Sequence, residues 1–172
     1  MRKTVFLLAG LFVMMLATQQ MKAQDVSASA TAAANIITPI QISKAADLYF
    51  GNIVAGTTPG TVTVSHDGIR TKSDGVTLPT ATPGDFHAAE FTVTGLANAT
   101  YAITLPDDNT VTISGPGEED MTVTGFTSNP SGTGTLAANG EQTLSVGATL
   151  NVGESQAAGT YEGNFSVTVA YN

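Results

Sequence analysis

The sequence predicts an all-β protein, an antiparallel β-sandwich, and three observations predict it. Apolar residues recur with period two, as in "TLSVGATLNV", where Leu144, Val146, Ala148, Leu150 and Val152 alternate with small polar residues. Turn-rich stretches such as "PDDN", "TSNPSGTG" and "AANGEQ" divide these runs at short intervals. No window after residue 24 holds a 3.6-residue period over a helix's length. Period two places every second side chain on one face, so each strand has a core face and a wet face. Many short strands between turn signals indicate a sandwich or barrel, and two half-wet sheets suit a chain of this length.

The strands follow in order. "TVTVSH" supplies Val62 and Val64, "EFTVTG" Phe91 and Val93, and "YAITL" Tyr101, Ile103 and Leu105. "TVTIS" supplies Val111 and Ile113, and "MTVTGF" Met121 and Val123. The terminal "GTYEGNFSVTVAYN" is the most regular run. Tyr161, Gly163, Phe165, Val167, Val169 and Tyr171 share one parity, and polar residues hold nearly all of the other.

Residues 1–23 read as a secretory signal peptide. Arg2 and Lys3 precede the apolar run "VFLLAGLFVMMLA", too short for a membrane span of about 20 residues, and cleavage is expected near Ala23. The expected mature chain, residues 24–172, has no membrane-spanning segment. It keeps Lys44, Arg70 and Lys72 against fourteen acidic residues, a net charge of −11. Such a surface repels phosphate backbones and excludes nucleic acid as a partner. With no cysteine, disulfides and thiolate metal sites are excluded.

Residues 24–36 form an N-terminal extension ahead of a domain at 37–172. In "DVSASATAAANI", Val26, Ala28, Ala30, Ala32, Ala34 and Ile36 share one parity. The pattern is a strand's, but alanine is a poor strand former and a buried methyl gives little. Such a strand needs a partner that supplies backbone hydrogen bonds. A disordered leader and a short Ala-rich helix are the other readings.

Chemistry-bearing motifs are sparse. His66 and His87 stand apart, and no Gly-x-Ser-x-Gly elbow is present. The clusters Asp107-Asp108-Asn109 and Glu118-Glu119-Asp120 lack calcium-loop spacing and read as turn tips. No catalytic residue, metal site or cofactor is expected, and the protein is not read as an enzyme.

Four blocks carry a resemblance: "LYFGNI" (48–53), "FTVTG" (91–95), "VGATLNV" (146–152) and "QAAGTYEGNFSVTVAYN" (156–172). Together they resemble a secreted bacterial domain family of unassigned function that is similar to spore coat protein U-like proteins and fimbrial subunits. The terminal block also resembles the C-terminal motif of chaperone–usher pilins, with Tyr171 penultimate and Gly159 fourteenth from the end. The resemblance implies an immunoglobulin-like sandwich that lacks one strand. A periplasmic chaperone lends that strand during export, an outer-membrane usher assembles the subunits, and the extension of the next copy or a related subunit fills the gap, head to tail. It assigns the chaperone and groove strand to Gly159, Tyr161, Gly163, Phe165, Val167, Val169 and Tyr171. It assigns the donor strand to Val26, Ala28, Ala30, Ala32, Ala34 and Ile36. The implied function is a structural subunit of a surface appendage or coat, exported to the periplasm and cell surface. The alternative is a free-standing secreted sandwich that binds a carbohydrate or protein through its loops.

Overall fold

The computed structural model describes residues 24–116 and 120–172. The signal-peptide reading of residues 1–23, and Glu118 and Glu119 of the second acidic cluster, lie outside the described residues. The chain divides into two units, Met1–Asn35 and Ile36–Asn172. In the first, residues 24–35 form no helix, strand or turn, and every one is exposed, Val26 at 93%. The Ala-rich helix is therefore set aside.

The second unit is all-β. Its strands are β1 (Gln41–Ala46), β2 (Val54–Ala55), β3 (Gly60–Val64), β4 (Arg70–Lys72), β5 (Val76–Thr77) and β6 (Ala89–Thr94). They continue with β7 (Thr100–Thr104), β8 (Val111–Ile113), β9 (Met121–Asn129), β10 (Thr133–Thr135), β11 (Glu141–Val152) and β12 (Thr168–Tyr171). The alternating runs between residues 61 and 152 each form a strand in the expected place, whereas residues 25–36 form none and the terminal run pairs regularly only at Thr168–Tyr171. All strand pairs are antiparallel. Among the described residues no helix is long and apolar enough to cross a membrane.

Strand β11 organises the large sheet. Its twelve residues extend about 40 Å at 3.3–3.4 Å each. One edge pairs first with β6, from Glu141↔Thr94 to Val146↔Ala89, and then with β3, from Ala148↔Val64 to Val152↔Gly60. The other edge pairs with β9, which in turn carries β8. Gly147 is the changeover residue, and a Cβ there would meet the backbone at Val64, Ser65 and His66. Strand β1 extends the sheet beyond β6, and β4 extends it beyond β3. A second sheet has the order β10-β7-β12, and β2-β5 is a separate ribbon.

Two buried clusters result. Over the first half of β11, Ala89, Val93, Leu144 and Val146 pack with Tyr101 and Leu136 from beneath the second sheet. Over the second half, Val62, Val123, Ala148, Leu150 and Val152 pack with Val76, Val111 and Met121. Only the ribbon and irregular segments cover this second cluster. Leu48, Phe126 and Phe165 touch both clusters and stay only partly buried. None of the five phenylalanines among the described residues is buried. A closed core normally takes its aromatic residues inside, because they carry the largest apolar surface. The sandwich is thus incomplete on the side where these rings lie.

Tyr101 is the exception, with 0% exposure. Its hydroxyl donates to Gln142 Oε1 at 2.8 Å, and the same oxygen accepts the Thr135 N–H at 2.9 Å. Burial raises its pKa above the usual value near 10. The folded state therefore holds this proton more tightly than the unfolded state does. The contribution is complete below about pH 10 and is lost as pH rises through the raised value. Tyr101→Phe should lower stability at pH 7 by about 1 kcal/mol. It should also shrink the further loss between pH 9 and 11, measured by urea unfolding. An undiminished alkaline loss would remove Tyr101 as its source.

Candidate functional site

The candidate site is a groove of about 1040 Å³ along the open side of the sandwich. One wall is residues 44–55 and the other is residues 156–165, with Ala89, Phe91, Ile113, Met121, Leu150 and Val152 as the floor. The middle of the first wall, between β1 and β2, and the second wall up to β12 lie outside regular strand pairing. Residues 47–53 make one isolated bridge, Tyr49↔His87, and residues 159–167 make one, Ser114↔Glu162. Among the described residues no backbone hydrogen bond joins 47–53 to 159–167. Two walls face each other across an apolar floor without closing over it.

Specific side chains hold the first wall open. The Arg70 guanidinium donates to Phe50 O at 3.0 Å and Pro83 O at 3.1 Å, and lies 4.2 Å above the centre of the Phe86 ring. The Tyr49 ring stacks on His87 at 6.1 Å. These contacts tie residues 49–52 outward to the 83–87 loop rather than inward across the groove. Lys44 and Asp47 form an ion pair of 2.6 Å on the rim, both well exposed and so of small energetic weight.

The second wall depends on close backbone approach. A Cβ at Gly163 would meet Thr112 O and Ile113, one at Gly159 would meet the Pro116 ring, and one at Gly115 would meet the Tyr161 ring. These glycines let the wall lie against the end of β8. The Tyr161 hydroxyl donates to Ala157 O at 2.9 Å and accepts from Gln156 Nε2 at 3.1 Å, which pins the bend. Phe165 meets Phe91 edge-on at 6.3 Å and Phe126 at 5.2 Å.

The terminal strand differs from its expected form. Its alternation persists, since Tyr161, Phe165, Val167, Val169 and Tyr171 are half-buried and their even-numbered neighbours exposed. Regular pairing, however, is confined to Thr168–Tyr171, against β7. The stretch before it bridges instead to Ser114, beyond β8 in the other sheet, so the segment changes sheets and cannot be one continuous strand. Of the residues assigned to the groove strand, Gly159, Tyr161, Gly163 and Phe165 line the groove. Val167, Val169 and Tyr171 instead pack against the first-half cluster. The Tyr171 hydroxyl donates to Thr38 O at 2.8 Å and accepts the Leu96 N–H at 2.7 Å. The donor residues Val26, Ala28, Ala30, Ala32, Ala34 and Ile36 are all exposed, Ile36 at 96%.

Sequence reasoning missed the floor. Phe91 stands between the smaller Ala89 and Val93 on its strand face, and that size mismatch was the available signal. The turn reading of Asp107-Asp108-Asn109 holds: Asp108 Oδ1 accepts the Gly125 N–H at 2.7 Å, and Asp107 O accepts the Thr110 hydroxyl at 2.6 Å. Among the described residues no three His, Asp or Glu side chains converge on a metal-sized site.

No curated protein matches the chain. A family model does, over residues 40–171, a span that takes in both walls, the floor and Tyr171. The chain belongs to that family, described as a domain of unknown function (DUF4402), the one similar to spore coat U-like proteins and fimbrial subunits that its sequence blocks resemble.

Proposed function

We propose that the protein is an exported, non-enzymatic structural subunit of a surface appendage or coat, assembled by donor-strand addition. The observation that carries this reading is the open groove with unburied phenylalanines along it. A strand laid between the walls would add main-chain pairing across the groove and shield the rings from water. The donor is the exposed extension, through Val26, Ala28, Ala30, Ala32, Ala34 and Ile36. Because donor and groove are different surfaces of one chain, the contact is head-to-tail and builds an open filament. A periplasmic chaperone would occupy the groove during export and an outer-membrane usher would exchange it for the next subunit.

The mature protein should give a ladder on an unboiled denaturing gel, and heating should collapse the ladder to monomer. Removing residues 24–35 should abolish it. A monomer with and without that segment would refute the assignment and leave the free-standing binding module as the reading.

A further inference from the structure

The groove's lining is unusual for a strand-accepting site in one respect, which is that the bulk is already in place. Leu48, Phe50 and Ile53 project from one wall, Tyr161 and Phe165 from the other, and Phe91 from the floor. A donor with large side chains would have to displace these groups, and overpacking a formed apolar surface is destabilising. A donor with small side chains can bring its backbone close to the rings and cover them with methyl groups and main chain.

The chain's own extension has that form. Four consecutive inward positions are alanine, Ala28, Ala30, Ala32 and Ala34, and the larger Val26 and Ile36 bracket them. Fully extended, the bracketing residues stand about 33 Å apart. Charge points the same way. The mature chain carries −11, so an acidic donor meets a repulsive acceptor, and a charge of either sign would lose its water against the apolar floor, whereas residues 26–36 contain no charged side chain. Their outward parity is Ser27, Ser29, Thr31, Ala33 and Asn35, suited to facing water.

We propose that the groove selects its donor by the smallness and neutrality of its side chains, so that its occupant is residues 26–36 of a second copy of this chain. The inference rests on the strand-donation reading and adds a rule for which strand is taken. Knobs belong to the acceptor and holes to the donor.

The test uses the full mature chain with Ala30→Leu, Ala32→Leu or Ala30→Asp. These positions are exposed in the monomer, so circular dichroism and the melting temperature should match wild type at concentrations where it is monomeric. Sedimentation velocity and the unboiled gel should show assembly requiring at least tenfold more protein for each variant. A Phe91→Ala acceptor mixed with Ala30→Leu donors should recover part of that loss if it folds. Leucine variants that assemble as readily as wild type would overturn the size rule while leaving strand donation intact. An aspartate variant that assembles normally would overturn the neutrality rule. A wild-type chain that stays monomeric, with Ala30→Leu lowering its melting temperature, would place the segment in its own groove and overturn the second copy. Assembly that survives deletion of residues 24–35 would instead defeat the donation reading itself.

Discussion

Gly147→Val should be the most damaging single substitution in the domain. Gly147 sits where β11 passes from β6 to β3, and an added Cβ would meet main-chain atoms of Val64, Ser65 and His66. Backbone cannot swing aside as a flexible side chain can. Either β3 moves off β11 or the register between them breaks, and both expose Val62 and Val64, which are fully buried. Overpacking of this kind costs about 1–3 kcal/mol, and valine's branch places it at the upper end or beyond. For a domain of this size that corresponds to a fall of about 6–12 °C in Tm for 3 kcal/mol. Thermal unfolding followed by far-ultraviolet circular dichroism measures it. A Tm within 2 °C of wild type would show that β3 yields freely and that the changeover at Gly147 does not need a glycine. Gly132, whose surroundings are open, is a poor control because its φ is +68°. An exposed Thr133→Val serves better.

Tyr171 carries the second large effect, and two variants divide it. Tyr171→Phe removes the hydroxyl that joins Leu96 N–H to Thr38 C=O, at a cost of about 1–2 kcal/mol for two hydrogen bonds. Tyr171→Ala also removes a half-buried ring from the cluster around Val93 and Leu144, for a total of about 2–4 kcal/mol. Amide hydrogen exchange gives a site-specific check, because the Leu96 amide should lose protection in the phenylalanine variant while Val93 keeps it. Unchanged exchange at Leu96 would remove the latch. The pair also bears on export. Reduced periplasmic yield for Tyr171→Ala alone follows the loss of packing. Reduced yield for both variants in proportion to their stability assigns the defect to folding rather than to recognition by a chaperone.

The parts of the fold that were legible in the sequence share a cause. In β3, β6, β9 and β11 apolar residues alternate with small or polar ones, because each strand has one face on a core and the other turned away from it. The strands that left no trace lack that condition. β1 carries Lys44 and is mostly exposed, β4 reads Arg-Thr-Lys, and β10 centres on Gly134, which lies against the Tyr101 ring. Edges and corners are set by partners remote in sequence, and no local period records them. The terminal segment shows the opposite error. Its nearly unbroken parity suggested one continuous strand, yet parity reports only which side chains face inward. Gly159 and Gly163 let the backbone lie against β8 without disturbing the alternation, so an irregular segment with one bridge and the short strand β12 present the pattern of a single strand. The groove was half legible for the same reason: the second wall lay in that periodic block, while the floor is assembled from β6, β8, β9 and β11.

The Tyr171 hydroxyl lies where two ends of the domain converge. Thr38 stands at the root of the extension, and Tyr171 closes the last strand. In a filament joined as proposed, tension enters each subunit through its extension and leaves through the neighbour seated in its groove. The Thr38 carbonyl would then hand part of that pull to Tyr171, and through β12 to its paired neighbour β7. In such a filament Tyr171 would also serve as a mechanical clamp, spreading force into the second sheet before it reaches β1 and the rim at Lys44.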